Sequence, residues 1–191
     1  MKDSTNIELV MDSTLKDSVG NSLETFILGR MKLFQRELTS LEMMIMKYFK
    51  IAELVKSATA QRKGIDNSPT PEVKRSLEAL VDSILDPLRE AYGRPIIVTS
   101  GYRCPRLNKA VGGAASSQHI KGEAADIRSL EDTPEENKKL YDLIIALGLP
   151  FDQLINEFGY DWIHVSFGAR HRRQKMKAEK KGGKTVYTIL K

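Results

Sequence analysis

Two short segments, well separated along the chain, concentrate side chains that bind metal ions. The first runs Ser117-Gln-His-Ile-Lys-Gly-Glu-Ala-Ala-Asp126, and the second runs Asp161-Trp-Ile-His164. Zinc prefers imidazole, carboxylate and thiolate ligands, and a catalytic zinc site uses three protein ligands so that a fourth position stays open. The side chains of His119, Asp126 and His164 supply such a set. A chain that uses them together must fold so that the two segments meet.

The local sequence suits a site between these segments. Gly122 lets the chain turn within the first segment, and Ala124 keeps bulk away from the strand face that carries Asp126. Asp161 and His164 are three residues apart, so on a regular strand their side chains would point to opposite faces. We therefore expect Asp161 to lie in the loop that precedes the strand of His164.

Predicted helices and strands are mixed in the remainder of the chain. Thr70-Pro71-Glu72 is typical of a helix N-terminus, and the apolar spacing that follows predicts a helix that is kinked by Pro87 and ends near Gly93. Residues 57–70 and 112–118 have the composition of loops. The other predicted elements are strands over 95–99, 123–127, 153–157 and 162–167, a helix over 132–147 and a closing hairpin around Gly182-Gly183.

This order of elements lacks a regular βαβ rhythm, so the sequence favours an α+β fold over a doubly wound one. Within that class we expect a small antiparallel sheet that bears the metal site and is flanked by helices.

The first part of the chain has a different pattern. Residues 1–22 are polar and predict loop or disorder. Further on, apolar residues recur at alternating intervals of four and three, as in a heptad seam: Ile27, Met31, Phe34, Leu38, Leu41, Ile45 and Tyr48. The seam fits either a short coiled coil or a helix that packs on its own domain or frays. We therefore predict a partly helical or disordered extension over 1–46 and a domain bearing the metal site over 47–191.

The two metal-binding segments follow the patterns S-x-H-x-x-G-x-A-x-D and D-x-x-H. Together they resemble the zinc peptidases of the D-Ala-D-Ala carboxypeptidase type. That group includes vancomycin-resistance D,D-dipeptidases and phage L-alanyl-D-glutamate endolysins, with the hedgehog domain as a structural relative. The resemblance extends from about Tyr48 to the C-terminus. It includes the segments Ser100-Gly-Tyr-Arg103, Leu107-Asn108 and Asp152-Gln-Leu-Ile. The fold that it implies is the hedgehog or D,D-peptidase fold.

The resemblance implies one zinc ion (Zn²⁺) per chain, held by His119, Asp126 and His164. Taken singly, each histidine could be an ordinary surface or hydrogen-bonded residue, and Asp126 could form an ion pair with Arg128. The combination favours ligands, because a buried carboxylate among small and apolar neighbours needs a partner.

Three further side chains take roles from the resemblance. Asp161 matches the acid that serves as general base, Arg103 matches an arginine that steadies the substrate carbonyl and the tetrahedral oxyanion, and Ser117 matches a serine that contacts substrate. From the sequence alone, the alternatives are a turn residue, a structural ion-pair former and a loop serine, respectively. We interpret Glu157 as structural support near the site or as an outer partner of a histidine.

The function implied by the resemblance is hydrolysis of peptidoglycan stem peptides by metal-activated water. Two reactions stay open, those of a D-Ala-D-Ala carboxypeptidase and of an L-Ala-D-Glu endopeptidase. An aspartate rather than a glutamate at position 161 hints at the endolysin branch. The alternative is a non-catalytic, zinc-stabilised module that binds cell wall or protein, and the presence of Asp161 and Arg103 argues against it.

Charge and composition narrow the partners. The net charge is +5, and residues 169–191 carry nine Lys or Arg and one acid. This basic tail suits a solvated hairpin face or attraction to anionic wall polymers, and without interleaved aromatic residues it does not favour nucleic acid. The single cysteine, Cys104, excludes an intramolecular disulfide.

The chain also lacks an apolar run that approaches the ~20 residues of a membrane span. Its N-terminus does not read as a secretory signal. We therefore expect synthesis in the cytoplasm, followed by action on the wall after release if the protein is of phage type, and cytoplasmic action otherwise. The expected partner is the peptidoglycan peptide, with no nucleic acid and no membrane, and the oligomeric state stays open.

Overall fold

The computed structural model describes residues 27–32 and 46–190. The first of these ranges is a short helix, α1, in which Met31 is exposed. Most of the heptad seam predicted over 27–48 lies outside the described residues, as does the loop predicted over 1–22. Tyr48, the last seam position, lies in a bend rather than in a helix. The division of the chain after residue 46 stays a prediction.

Residues 46–190 form an α+β arrangement in which short helices precede and interrupt six strands. The helices are α2 (Ile51–Val55), α3 (Ala58–Arg62), α4 (Pro71–Leu80), α5 (Asp86–Tyr92), α6 (Pro105–Ala110) and α7 (Pro134–Ala146), with a π-helical turn at Val81–Leu85 and a 3-10 helix at Gln118–Lys121. The strands are β1 (Ile96–Ser100), β2 (Ala124–Ser129), β3 (Gln153–Glu157), β4 (Trp162–Ser166), β5 (Gln174–Lys181) and β6 (Lys184–Ile189). No helix among these residues is long and apolar enough to span a bilayer.

The predicted strands, the hairpin and the two longer helices are confirmed. α4 begins at Pro71, where the Thr70 side chain accepts a hydrogen bond from the backbone of Val73, and the Thr133 side chain caps α7 in the same way. The loop predicted over 57–70 is wrong in part, because its first residues form α3. The Ser57 side chain accepts the backbone N–H of Ala60, so a residue typical of loops here starts a helix.

The sheet is larger than predicted and is not purely antiparallel. Its strand order is β1-β2-β4-β3-β5-β6. All neighbouring pairs are antiparallel except β3 and β5, which are parallel and place Ile155 beside Met176. The basic hairpin of β5 and β6 therefore extends the sheet by two strands. The α+β class is correct, and the small antiparallel sheet is corrected to a mixed sheet of six strands.

The two faces of the sheet have different partners, because successive side chains of a strand point to opposite sides. One face packs against α4, α5 and α7 and forms the main core. Its buried strand residues are Ala125, Ile127, Leu154, Ile163 and Val165. The alternate positions of β2 and β4 carry Asp126 and His164 and face a cleft.

The helix before β1 adapts to its proline by widening. Pro87 lacks an N–H and its ring crowds the carbonyl four residues earlier, so an undistorted helix would be strained there. The π-helical turn Val81–Leu85 lies immediately upstream, and the Asp86 N–H bonds to the Val81 carbonyl. The wider turn lets the helix continue through Pro87 to Tyr92. The kink predicted at Pro87 stays a prediction.

An ion pair between a buried carboxylate and an exposed arginine ties the segment after β4 to the start of β3. Asp152 is fully buried and accepts hydrogen bonds from the backbone N, Nε and Nη2 of Arg172, at 2.9, 2.9 and 2.6 Å. Its Oδ2 also accepts Gln118 Nε2 at 3.0 Å. Gln118 precedes His119, so this carboxylate joins the hairpin region to the metal-binding segment.

We predict that acid weakens the fold through Asp152. Arg172 lowers the pKa of Asp152 to about 2, from 3.8 for a free group, so the stabilisation is complete above about pH 4 and is lost as the pH falls towards 2. At neutral pH, Asp152→Asn should lower the free energy of unfolding by about 1–3 kcal/mol, measured by urea denaturation.

Asp142→Asn is the matched control, because Asp142 pairs with Lys138 in an exposed ion pair. It should change the free energy of unfolding by less than about 1 kcal/mol. Equal stability of the two variants would contradict the role given to Asp152.

Candidate metal centre

The two metal-binding segments meet on the open face of the sheet. The pairing of β2 with β4 places Asp126 directly opposite His164. Asp126 Oδ1 lies 2.9 Å from His164 Nδ1 and 3.2 Å from His119 Nε2, and the two ring nitrogens are 3.2 Å apart. All three ligand atoms lie within 4.8 Å of one another, so the three side chains could hold one metal ion.

A backbone carbonyl orients the buried histidine. His119 Nδ1 lies 2.6 Å from Gly101 O, and since a carbonyl oxygen only accepts, Nδ1 carries the proton. The lone pair of Nε2 then points at Asp126. Gly101 itself has no room for a side chain, because a Cβ there would lie 2.2 Å from Leu54 O of α2. The close approach of α2 thus places the carbonyl that fixes the tautomer of His119.

A glycine also shapes the turn between the first two donors. Gly122 has φ +72°, in the left-handed region, and a Cβ there would lie 2.7 Å from Val73 O of α4. The 3-10 helix can therefore end at Gly122 and lead directly into β2, which carries Asp126. The turn predicted from the sequence is confirmed.

The electrostatics of the three side chains fit a cation. Burial alone would raise the pKa of Asp126, but the charges and hydrogen bonds of the two histidines, when they are protonated, outweigh it and hold the pKa well below its usual range. A metal cation would replace those protons, because the carboxylate and the Nε2 lone pair of neutral His119 converge on one point. Two imidazoles and a carboxylate are a donor set of catalytic zinc sites, so the residues present fit that metal.

These side chains lie in an open cleft of about 560 Å³. Of the three further residues predicted for the site, Arg103 and Ser117 line this cleft, and Asp161 is not among its lining residues. Other side chains that line it are Ile155, Glu157, Trp162, Met176 and Tyr187.

A comparison with models of protein families finds a match over the segment that contains this metal centre. The model described as Peptidase M15 matches residues 47–166, which include His119, Asp126, His164, Arg103 and Ser117. The chain belongs to the peptidase M15 family. M15 enzymes are zinc-dependent metallopeptidases, and the resemblance seen in the sequence is confirmed. A comparison with curated proteins finds no match.

In this M15 peptidase, hydrogen bonds to His119 and to the loop residue Asn67 fix the backbone of the segment that carries Arg103. The Arg103 N–H donates to His119 O at 3.1 Å, and Asn67 brackets the segment by donating to Tyr102 O and accepting from the Cys104 N–H. Arg103 Nη1 lies 4.0 Å from Asp126 Oδ2. Burial lowers the pKa of Arg103 and Asp126 raises it, yet a guanidinium remains charged at neutral pH.

Asp161 lies where the strand argument expected it, in the turn between β3 and β4, but its side chain is exposed. Its N–H donates to Glu157 O at 2.9 Å, and its carbonyl accepts from Asn137 Nδ2 of α7 at 3.1 Å. Asp161 thus stabilises the turn through its backbone, and its side chain does not line the cleft. Its role as general base stays a prediction.

Glu157 is the carboxylate that the M15 peptidase does bring into the cleft beside the metal donors. It is 6% exposed and pairs with Trp162 of β4, on the face of the sheet that carries His164. Burial raises the pKa of Glu157 to about 7, with His164 lowering it and Asp126 raising it. The sequence interpretation, structural support or an outer partner of a histidine, stays a prediction, and the structure adds that Glu157 lines the cleft.

The sequence interpretation placed Glu157 near the site but not in the lining of the cleft, although a signal for that position was present. Gln153, Ile155 and Glu157 alternate along a predicted strand, so they share one face. Only the pairing of Ile155 with His164 shows that this face carries the metal donors. Nothing in the sequence marks Asn67, which lies in a stretch of loop composition.

We predict that His119→Ala abolishes stable zinc binding, because the site then has two donors. Affinity should fall by more than about 100-fold, beyond the effect of losing an outer partner of a ligand. Zinc content after dialysis, measured by atomic emission, checks this. His171→Ala is the matched control, since His171 is exposed and outside the cluster, and it should retain zinc. Retention of zinc by His119→Ala would contradict the ligand assignment.

Proposed function

We propose that this M15 peptidase hydrolyses the stem peptide of peptidoglycan, with one zinc ion held by His119, Asp126 and His164. The observation that carries the proposal is the convergence of two imidazoles and a carboxylate within 4.8 Å in an open cleft. Peptidoglycan is the substrate that the family suggests. The cleft is open enough for a peptide to lie across the donors.

A bound zinc ion supplies Lewis-acid chemistry, which acidifies water and polarises a carbonyl group. The chain itself must still move a proton, and Glu157 is the group we propose for that step. Its carboxylate lies in the cleft beside the metal donors, where it can accept a proton from water and return it to the leaving amine.

Arg103 supports this chemistry by binding the substrate. Its guanidinium carries a permanent charge beside Asp126, and in the cleft wall it can hold the carbonyl oxygen of the scissile bond and stabilise the oxyanion that forms. Ser117 lines the same cleft, and we propose that it contacts the peptide backbone.

The surroundings of Arg103 favour cleavage within a peptide. Arg103 also borders a second groove along β1, which Lys56, Thr99 and Arg128 line. A peptide that lies across the metal donors can therefore continue past Arg103 on the side of β1. We favour an L-Ala-D-Glu endopeptidase over a D-Ala-D-Ala carboxypeptidase for this reason.

The test uses the synthetic peptide L-Ala-D-Glu-L-Lys-D-Ala-D-Ala, which contains both bonds. Mass spectrometry of the products should show cleavage between L-Ala and D-Glu, its loss with a chelator and its return with zinc. Release of D-Ala would assign the carboxypeptidase reaction instead. Cleavage that continues in the presence of the chelator would show that zinc is not required. Binding without cleavage would indicate a non-catalytic module.

We predict that Glu157→Gln lowers kcat on this peptide by about 10²–10⁴-fold, the usual contribution of a general base, while zinc content stays unchanged. Asp161→Asn is the matched comparison, because the D-x-x-H pattern assigns the same role to Asp161. It should leave kcat close to that of the wild type, since its side chain is outside the cleft. The opposite ranking of the two variants would return the role to Asp161.

A further inference from the structure

The hairpin of β5 and β6 lies beyond the segment that matches the M15 family, which ends at residue 166. It nevertheless contributes to the cleft. β5 pairs in parallel with β3, and this register places Met176 beside Ile155 and Ala178 beside Glu157. The side of the hairpin that bears Met176 and Ala178 therefore continues the face of the sheet that carries the metal donors.

Tyr187 stands on this same side of the hairpin. It pairs with Ala178, so Ala178 lies between Tyr187 and Glu157 in one row across three strands. Ala178 is 1% exposed and has only a methyl group, so it leaves the space above it to the larger side chains. Tyr187 lines the cleft together with Arg103 and Glu157.

The hydroxyl group of Tyr187 is available to a ligand. Tyr187 is 51% exposed, and within the described part of the chain its hydroxyl makes no hydrogen bond. Burial raises the pKa of Tyr187, and the carboxylates of Glu157 and Asp126 raise it further, so the hydroxyl stays protonated and can donate. A surface tyrosine of purely structural use would not need to face the catalytic groups.

The surroundings of Tyr187 suit a peptide backbone. Met176 and Ile155, which is 6% exposed, form an apolar floor next to it. A peptide carbonyl that approaches this floor loses water and needs a donor in exchange. Neutral donors such as a phenol suit a neutral carbonyl, whereas Arg103 suits the oxygen that becomes charged.

We propose that the hairpin is one wall of the substrate-binding cleft and that the Tyr187 hydroxyl donates a hydrogen bond to a backbone carbonyl of the bound peptide. This inference rests on the proposed peptidase function. Tyr187 is two strands away from β3, about 10 Å between backbones, so the bonded carbonyl belongs to a residue beside the scissile bond. The bond is therefore present before and during the reaction, and its loss should raise KM and leave kcat nearly unchanged.

The experiment compares Tyr187→Phe with Tyr160→Phe, the same change in a tyrosine of the β3–β4 turn that is not among the cleft residues. With L-Ala-D-Glu-L-Lys-D-Ala-D-Ala as substrate, Tyr187→Phe should lose about 3- to 10-fold in kcat/KM through KM, as expected for one neutral hydrogen bond. Tyr160→Phe should match the wild type, and all three proteins should hold equal zinc.

Binding of the same peptide to Glu157→Gln, with and without Tyr187→Phe, is measured by calorimetry and needs no turnover. A weaker affinity with Tyr187→Phe supports the inference even if the wild type fails to cleave, in which case only the peptidase function falls. Unchanged KM and unchanged peptide affinity in Tyr187→Phe would overturn the inference about the Tyr187 hydroxyl. A fall in kcat alone would also overturn it, because it would move the hydroxyl to the reacting carbonyl.

Discussion

The antiparallel pairing of β2 with β4 is the constraint on which the site depends. It sets a carboxylate opposite an imidazole, and the turn at Gly122 brings the second imidazole to the same point. Such a cluster costs free energy in a protein interior unless a positive charge joins it. The core on the other face of the sheet packs against both strands and so supports the positions of the donors.

Much of this arrangement is local and could be predicted from the sequence. Thr70 and Thr133 begin helices through caps that involve only residues three positions away, and β-branched runs give the strands. The donors His119, Asp126 and His164 were predicted from patterns whose spacing suits a metal. The structure brings all three together: the pairing of two predicted strands sets Asp126 opposite His164, and the turn at Gly122 adds His119.

What could not be predicted depends on contacts between distant residues. The D-x-x-H spacing drew attention to Asp161, whereas Glu157 enters the cleft through the register of β3 against β4. The parallel pairing of β3 with β5 is likewise invisible in a hairpin pattern, yet it gives the sheet its size and places Tyr187 over the cleft. Asn67, from a stretch of loop composition, fixes the backbone on both sides of Arg103, because its side chain donates to Tyr102 O and accepts from the Cys104 N–H.

The position of β6 at the end of the strand order has a consequence for behaviour at high concentration. An outermost strand presents N–H and C=O groups that can pair with another chain, and Val186 and Ile189 on it are exposed. Lys184 and the lysines of β5 give the hairpin an excess of positive charge, although Glu179 lies opposite Val186. Repulsion between these charges would oppose pairing of the edge with another copy, so we expect the protein to self-associate more readily as added salt screens that repulsion.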